Sequence, residues 1–398
     1  MTAARTYLDW NASAPLRPEA RAAMVATLDV TGNPSSVHAE GRRARALVEA
    51  AREQVAALVG AKATEVVFTS GATEANNWAL TAGWDTVFAS DIEHDSVLAP
   101  ARASGARIVP IPASGDGVAR VETLAHCIQA RSQPLGRALV TLQMANNETG
   151  VIQPVAATAA LAREHGLLVH TDAVQAVGRV PVNFAQLGVD LLSMSSHKIG
   201  GPKGVGALVV REGIELAALV TGGGQERRRR AGTENVAAIT GFGAAATAAL
   251  GDLARIDRTA ARRDLLERGL ERLAPEVVII GQSMPRLPNT TCVAWPGKLA
   301  ETLVIKLDLA GIAISAGAAC SSGKVGPSHV LAAMGLPPAI ASSAVRISLG
   351  HETGMRDIRR LLRAWGEIGA ARALEKRVRS SEMPEGVRRI GDRILEEV

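Results

Sequence analysis

The sequence has only three cysteines in 398 residues, Cys127, Cys292 and Cys320, and they lie far apart. An odd number without close spacing argues against a disulfide framework and a CxxC-type zinc site. It points to free thiols in a reducing compartment. The first residues, MTAARTYLDWNAS, contain no apolar stretch of signal-peptide length. No run approaches the length a membrane helix needs. Internal repeats and low-complexity linkers are missing as well. Charge of one sign is scarce: 44 Lys+Arg against 39 Asp+Glu leave a formal net charge of +5. The one dense basic run, Arg227–Arg230, reads as a solvated loop. These absences lead to the expectation of a cytoplasmic enzyme with no membrane segment and no metal site.

What is present has an ordinary globular balance, 47% hydrophobic and 21% charged. The chain is long enough for two domains or one large α/β unit. Glu40–Leu58 has apolar residues at 44, 47, 48, 51, 55 and 58, a helical spacing that Gly60 ends. Short, often continuous apolar runs follow: EVVFTS (65–70), DTVFAS (85–90), ARIVPIP (106–112), RALVTLQM (137–144), GLLVHTD (166–172), DLLSMSS (190–196) and GVGALVV (204–210). Strands covered on both faces have this texture. Helical segments such as Pro154–His165 separate many of them, so a mostly parallel sheet with helices on both faces is expected. Val236 to Ala274 reads as one long or broken helix. Beyond it come EVVIIG (276–281), TTCVAWP (290–296), IAISAG (312–317) and AVRISL (344–349), and a smaller α+β domain is expected to begin near 258.

The polar residues fall just after the strands, where open α/β sheets bind their ligands. EVVFTS runs into Ser70-Gly-Ala-Thr73, a small-residue turn suited to phosphate at a helix N-terminus or simply to capping. The next strands lead to His94, to Asn147, to Asp172 followed by Gln175, and to Ser195, His197 and Lys198. Each has a structural reading by itself; together they place a carboxylate, amides, imidazoles, a hydroxyl and an amine on one rim. Pyridoxal phosphate needs a lysine for a Schiff base, an acid to keep its ring nitrogen protonated and a phosphate cup. Lys198 and Asp172 supply the first two. Arg346 lies in the apolar strand AVRISL and needs an anion there, either a substrate carboxylate or an internal salt bridge.

One feature stands alone: Cys320 in Ala316-Gly-Ala-Ala-Cys-Ser-Ser-Gly323, a run of the smallest residues. Such a backbone has little to pack and reads as a tether for a travelling thiol. Gly326-Pro327-Ser328 then starts a helix, with Pro at a favoured first position. Cys127 and Cys292 sit in apolar periodic segments and read as packing thiols.

The segments GNPSSVHAEGRRAR (32–45), FTSGATEANN (68–77), EHDSV (93–97), NNETGVIQP (146–154), HTDAVQAVGR (170–179), SSHKIGGPKGVGAL (195–208), GGGQERRRRAGTEN (222–235), SAGAACSSG (315–323) and VRISLG (345–350) resemble the cysteine desulfurases. These are pyridoxal 5'-phosphate enzymes of the class V aminotransferase group, with the aspartate-aminotransferase-like, type I fold of PLP-dependent transferases. The resemblance runs from Tyr7 to about Gly350. It implies an α/β large domain with a mostly parallel sheet, residues 12–257, and a smaller α+β domain from 1–11 and 258–398 that carries the Cys320 loop.

The resemblance also implies roles. Lys198 would form the Schiff base, Asp172 would pair with the ring nitrogen, and Gln175 would bond the ring hydroxyl. His94 would stack on the ring and shuttle protons. Thr73, Ser195 and His197 would hold the phosphate, with Ala72 beside them in the cofactor site. Thr233 would reach the phosphate of the partner subunit in a homodimer, which makes direct nucleic-acid binding a minor reading of the arginine run. Asn147 would contact the cofactor–substrate adduct, and Arg346, assisted by Asn33, would clamp the substrate carboxylate. L-Cysteine would become L-alanine, with the sulfur held as a persulfide on Cys320. The acceptor would be an iron–sulfur scaffold, another carrier protein or the tRNA-thiolation machinery.

Trp10, Ala231, Ala316 and Ala318 depart from the family pattern without removing a residue given a role. The loop is that of the longer-loop group I type; the Arg-x-Gly-His-His-Cys pattern of the other type is missing. Within the same fold, a selenocysteine lyase or another class V aminotransferase is the alternative.

Overall fold

The structure is a computed structural model that describes residues 5–130, 134–317 and 328–379. After a short strand β1 (Thr6–Tyr7), seven strands build one sheet: β2 (Val66–Thr69), β3 (Thr86–Ser90), β4 (Arg107–Ile111), β5 (Ala138–Thr141), β6 (Leu168–Asp172), β7 (Leu191–Ser195) and β8 (Gly206–Val210). Their order is β2-β8-β7-β6-β5-β3-β4. β8 runs antiparallel to both neighbours; the remaining pairings are parallel. The sheet is therefore mostly parallel, as the continuous apolar runs predict.

Alternation along the strands sends side chains into two different cores. Val66, Phe68, Phe88, Val140, Leu192 and Val209 pack on one face, together with residues of the helices Ala39–Val59 and Val236–Asp252. Val67, Val87, Leu139, Leu191, Leu208 and Val210 pack on the other, against the helices Ala72–Leu80 and Asp95–Ala103. The edge strand β4 begins with exposed Arg107, a charge that discourages further pairing. The helix from Ala39 starts on His38, whose Nδ1 accepts the Gly41 N–H, and ends at left-handed Gly60 (φ 61°).

The helical run from Val236 is broken. A 3-10 turn at Leu253–Arg255 separates Val236–Asp252 from Ile256–Leu273. This run amends one expectation, because by length and composition it is apolar enough to cross a membrane. Its first half is core: Ile239, Phe242, Ala245, Ala246 and Ala249 are buried.

The remaining strands are β9 (Val278–Ile279), β10 (Thr290–Ala294), β11 (Ile312–Ala313), β12 (Ser315–Ala316) and β13 (Ala344–Ser348). The run at 312–317 serves two sheets. β11 pairs in parallel with β1, whereas β12 joins the antiparallel sheet β12-β13-β10-β9. Their core gathers Leu266, Leu270, Leu303, Leu307, Ile347 and Leu361. Trp295 and Trp365 stack in it with ring centroids 4.6 Å apart. Cys292 is buried, as expected, but Cys127 is only half-buried. Ser328 is the N-cap of His329–Ala333, its side chain accepting the Leu331 N–H. The helix thus begins after Ser328, and the expectation for Pro327 lies outside the described residues.

Candidate active site

Five parallel strands and β2 end on one side of the large sheet, and the chain must turn there. β2 turns through Ser70 and Gly71 into the helix Ala72–Leu80. Gly206 on β8 permits the close approach: a Cβ there would meet both Gly71 C and Met194 O at 2.7 Å. No side chain caps Gly71, so first-turn N–H groups lack intrahelical acceptors and favour an anion. The acid of that turn, Glu74, is paired with Arg230 at 2.9 Å and accepts the Ser70 N–H at 2.8 Å.

β3 leads to Glu93 and His94. His94 Nδ1 accepts the Ser96 N–H at 3.1 Å, which assigns the ring proton to Nε2. β6 ends at Asp172, 7% exposed. Its Oδ1 accepts the Val174 N–H at 2.9 Å and its Oδ2 accepts from Asn76 Nδ2 at 2.8 Å. β7 ends at Ser195 and passes into the 3-10 turn Ser196–Lys198. Lys198 Nζ donates to Asn11 O at 2.6 Å and Ala12 O at 3.0 Å. Gln175 Nε2 donates to the same Asn11 O at 3.0 Å.

These strand ends enclose a cavity of about 490 Å³ lined by Lys198, Asp172, Gln175 and His94. Asn147, Ser195, His197, Ala72 and Thr73 line it too. Burial, then the charges of Lys198, Lys203 and Arg179, push His197 down to about 4, so its imidazole is neutral at pH 7. Its Nδ1 lies 3.2 Å from Ser13 Oγ.

The remaining sequence-derived residues stand elsewhere. Asn33 is exposed, its Oδ1 accepting the Ser35 N–H. Thr233 is exposed and lines a neighbouring cleft that shares Ser70 and Gly204 with the main cavity. Arg346, 1% exposed, is not part of the wall of the main cavity. Its Nη2 pairs with Asp9 at 2.8 Å and its Nη1 donates to Asn147 O at 2.9 Å. It thus has the internal salt bridge that the sequence left as one of two options, while its Nε has no hydrogen-bond partner among the described residues. Cys320 and the small-residue run around it lie outside the described residues.

Several residues escaped the sequence reading. Asn76 lies within FTSGATEANN, one helical turn beyond Ala72, so helical spacing could have marked it. Asn11 acts through its carbonyl, which has no sequence signature. Glu93 is fully buried, its Oε1 accepting the Gln143 N–H at 2.5 Å. Burial first, then the Asp172 charge, holds its carboxyl well above the usual range, against the pull of the Gln143 N–H. Glu148, 2% exposed, accepts from Ser328 Oγ at 2.5 Å.

The side chains present fit pyridoxal phosphate. An amine and a hydrogen-bonded carboxylate face one cavity, and an uncapped helix N-terminus with a neutral histidine stands at its end. An amine, an acid and an anion cup in one cavity are the donor set this cofactor requires.

Residues 6–361 match the model of the Aminotransferase class-V family. The chain belongs to that family, and its fold is the type I fold of PLP-dependent transferases. Within that class it is similar to the cysteine desulfurases. The cysteine desulfurase of Cereibacter sphaeroides is 45% identical over 372 residues, covering 90% of this chain and 94% of that protein. Cysteine desulfurase IscS of Dictyoglomus turgidum is 40% identical over 364 residues, covering 88% and 91%. Among solved structures, a NifS-like protein from Rickettsia africae superposes with a TM-score of 0.86 at 34% identity, covering 92% of this chain and 99% of that one.

Proposed function

We propose that the protein is a PLP-dependent cysteine desulfurase that converts L-cysteine to L-alanine and takes the sulfur onto Cys320. The observation that carries this reading is the convergence of Lys198, Asp172, Gln175 and His94 on one cavity beside an uncapped helix N-terminus. A related solved structure, 30% identical with a TM-score of 0.74, is described as SspA in complex with cysteine, which supports the substrate.

When bound, pyridoxal phosphate supplies a ring that accepts the electron pair left on the substrate Cα. Asp172, held by Asn76 and the Val174 N–H, keeps the proton on the ring nitrogen. Lys198 holds the cofactor through its amine and then moves the Cα proton. Gln175 would donate to the ring hydroxyl. His94 would cover the ring and exchange protons at Nε2. Thr73, Ser195 and His197, with Ala72 beside them, bind the phosphate. Arg346 receives the substrate carboxylate with Asn147 and Asn33, and its unused Nε–H supports that role because Asp9 engages only Nη2. The Cys320 thiolate attacks the substrate sulfur. An S–S bond forms, the substrate C–S bond breaks, its electron pair passes to the carbon side, and protonation there completes alanine.

In this reading the protein works in the cytoplasm as a homodimer and passes the sulfur to an acceptor protein. The exposure of Thr233, outside the wall of its own cavity, supports a role toward a partner subunit. The division into 12–257 and 1–11 with 258–398 belongs to the same proposal; a hydrophobic core that draws its buried residues from Leu8 and from Leu266 onward supports it.

Turnover of L-cysteine with added PLP tests the reading. The parental protein is expected to release alanine and to carry a persulfide that alkylation and mass spectrometry locate on Cys320. Cys320→Ala should bind cofactor and cysteine but carry no persulfide. Lys198→Ala should lose the cofactor adduct that borohydride otherwise traps. Full alanine and sulfide output from Cys320→Ala would overturn the persulfide assignment.

A further inference from the structure

Arg179 has an environment that the proposed chemistry does not use. It follows Gly178, whose φ of 74° and close approach to Ile199 admit no side chain: a Cβ there would stand 2.9 Å from Ile199 Cγ2. The turn carrying Arg179 therefore lies directly against the turn carrying Lys198. The guanidinium spends its donors on four oxygens. Nη1 donates to Gln175 O at 2.8 Å and to Gln175 Oε1 at 2.6 Å. Nη2 donates to Trp10 O at 3.2 Å and to Lys198 O at 3.3 Å. None of the four is a carboxylate.

Two consequences follow from elementary chemistry. A guanidinium only donates, so the Gln175 amide must turn its oxygen toward Arg179 and its NH2 away from it. The NH2 then reaches Asn11 O and the cavity. A flexible ammonium could satisfy one oxygen, but the planar fork spans three chain segments at once. Those segments are the 10–12 loop, the turn after β6 and the turn after β7. The first also receives Lys198 Nζ through Asn11 O and Ala12 O. The second consequence is electrostatic. Arg346 is a further cation that acts on Arg179, and Lys198, Arg17, Arg255, Arg258, Arg262, His351, Asp252 and Glu352 line the cavity Arg179 shares with Trp10. Asp252 is engaged by Arg17 at 2.7 Å. Arg179 thus places positive charge behind the Lys198 turn that no carboxylate bonded to it offsets.

We propose that Arg179 is a positioning residue for the cofactor site: its guanidinium ties these three segments together, orients the Gln175 N–H into the cavity and holds positive charge behind Lys198. This rests on the PLP reading of the site.

The test is a spectrophotometric pH titration of the visible band of the PLP-loaded holoenzyme. Losing the Gln175 donor to the ring hydroxyl and losing the positive charge both favour the protonated form. Arg179→Met is therefore expected to raise the midpoint by roughly one pH unit. Arg179→Lys, which keeps the charge but not the fork, should raise it by less. A role confined to folding would lower thermal stability of the cofactor-free protein and leave the midpoint of the loaded fraction in place. That outcome overturns the proposal. Should Arg179→Met fail to fold, Arg179→Lys carries the test, and a midpoint equal to the parental one overturns the fork-based orientation of Gln175. A parental protein that stays colourless with added PLP instead overturns the functional reading beneath the proposal.

Discussion

Glu148 holds a carboxyl in a place almost without water. Burial pushes it up from 4.5 to about 7; Ser328, Arg346 and His94 pull the other way without cancelling that effect, and Asp95 adds to it. The folded chain therefore keeps this proton over a range in which the unfolded chain has lost it. Between about pH 4.5 and 7 the native state binds more protons, so stability falls as pH rises through that window and levels off above it. Glu148→Gln keeps the shape and an acceptor for Ser328 Oγ but cannot titrate. Denaturant unfolding of both proteins at pH 5 and pH 8 checks this. The variant is expected to lose less stability across the window, by on the order of 1–3 kcal/mol. Equal losses in the two proteins would falsify this account of Glu148. The same carboxyl, after burial itself, helps to push up the thiol of Cys292, which keeps that cysteine out of nucleophilic chemistry.

At the scale of elements, the turn from β2 into the helix Ala72–Leu80 depends on which glycine may carry a methyl. At Gly206 a Cβ would collide at 2.7 Å with two backbone atoms that have no freedom to retreat. At Gly71 nothing lies within 4 Å of the added atom. Gly206→Ala is therefore expected to displace the turn, with a loss of roughly 1–3 kcal/mol in stability and a marked fall in PLP affinity. Gly71→Ala should fold like the parent. Thermal melts and absorbance titration with PLP read both, and an unaffected Gly206→Ala would remove the steric argument. The seven strands of this sheet were legible because continuous Val, Leu and Ile runs need cover on both faces, and the rim followed from the polar residues after each run. The split of 312–317 between two sheets was not legible, because it depends on pairing with Thr6–Tyr7 and with β13. The Arg346–Asp9 pair likewise joins residues far apart in sequence, and spacing arguments see only neighbours. Asn11 reaches Lys198 through a carbonyl that any residue would offer, so for that contact its position, not its type, matters.

At the scale of the molecule, the N-terminal segment connects the large sheet to the core of the smaller sheets across the site. Its strand β1 pairs with β11, Leu8 is buried with Trp295 and Trp365, and Asn11 and Ala12 receive Lys198 at the end of β7. Asp9 holds Arg346, and Asn11 Nδ2 donates to Thr290 Oγ1 at 2.9 Å. Groups proposed to hold the cofactor are thus joined to both halves, and the unfolded chain brings none of them together. A ligand that binds only the folded state adds RT ln(1 + [L]/Kd), about 2.7 kcal/mol at one hundred times Kd. Adding PLP to the cofactor-free protein is therefore expected to raise Tm, and to raise it further with each step in ligand concentration. Lys198→Ala keeps the phosphate cup and Asp172, so it should retain a concentration-dependent but smaller rise. Asp172→Ala removes the carboxylate proposed to steady the ring nitrogen, and its rise should shrink as well. Calorimetry across a PLP series measures all three proteins, and equal rises would mean that the ligand binds outside the Lys198 cavity.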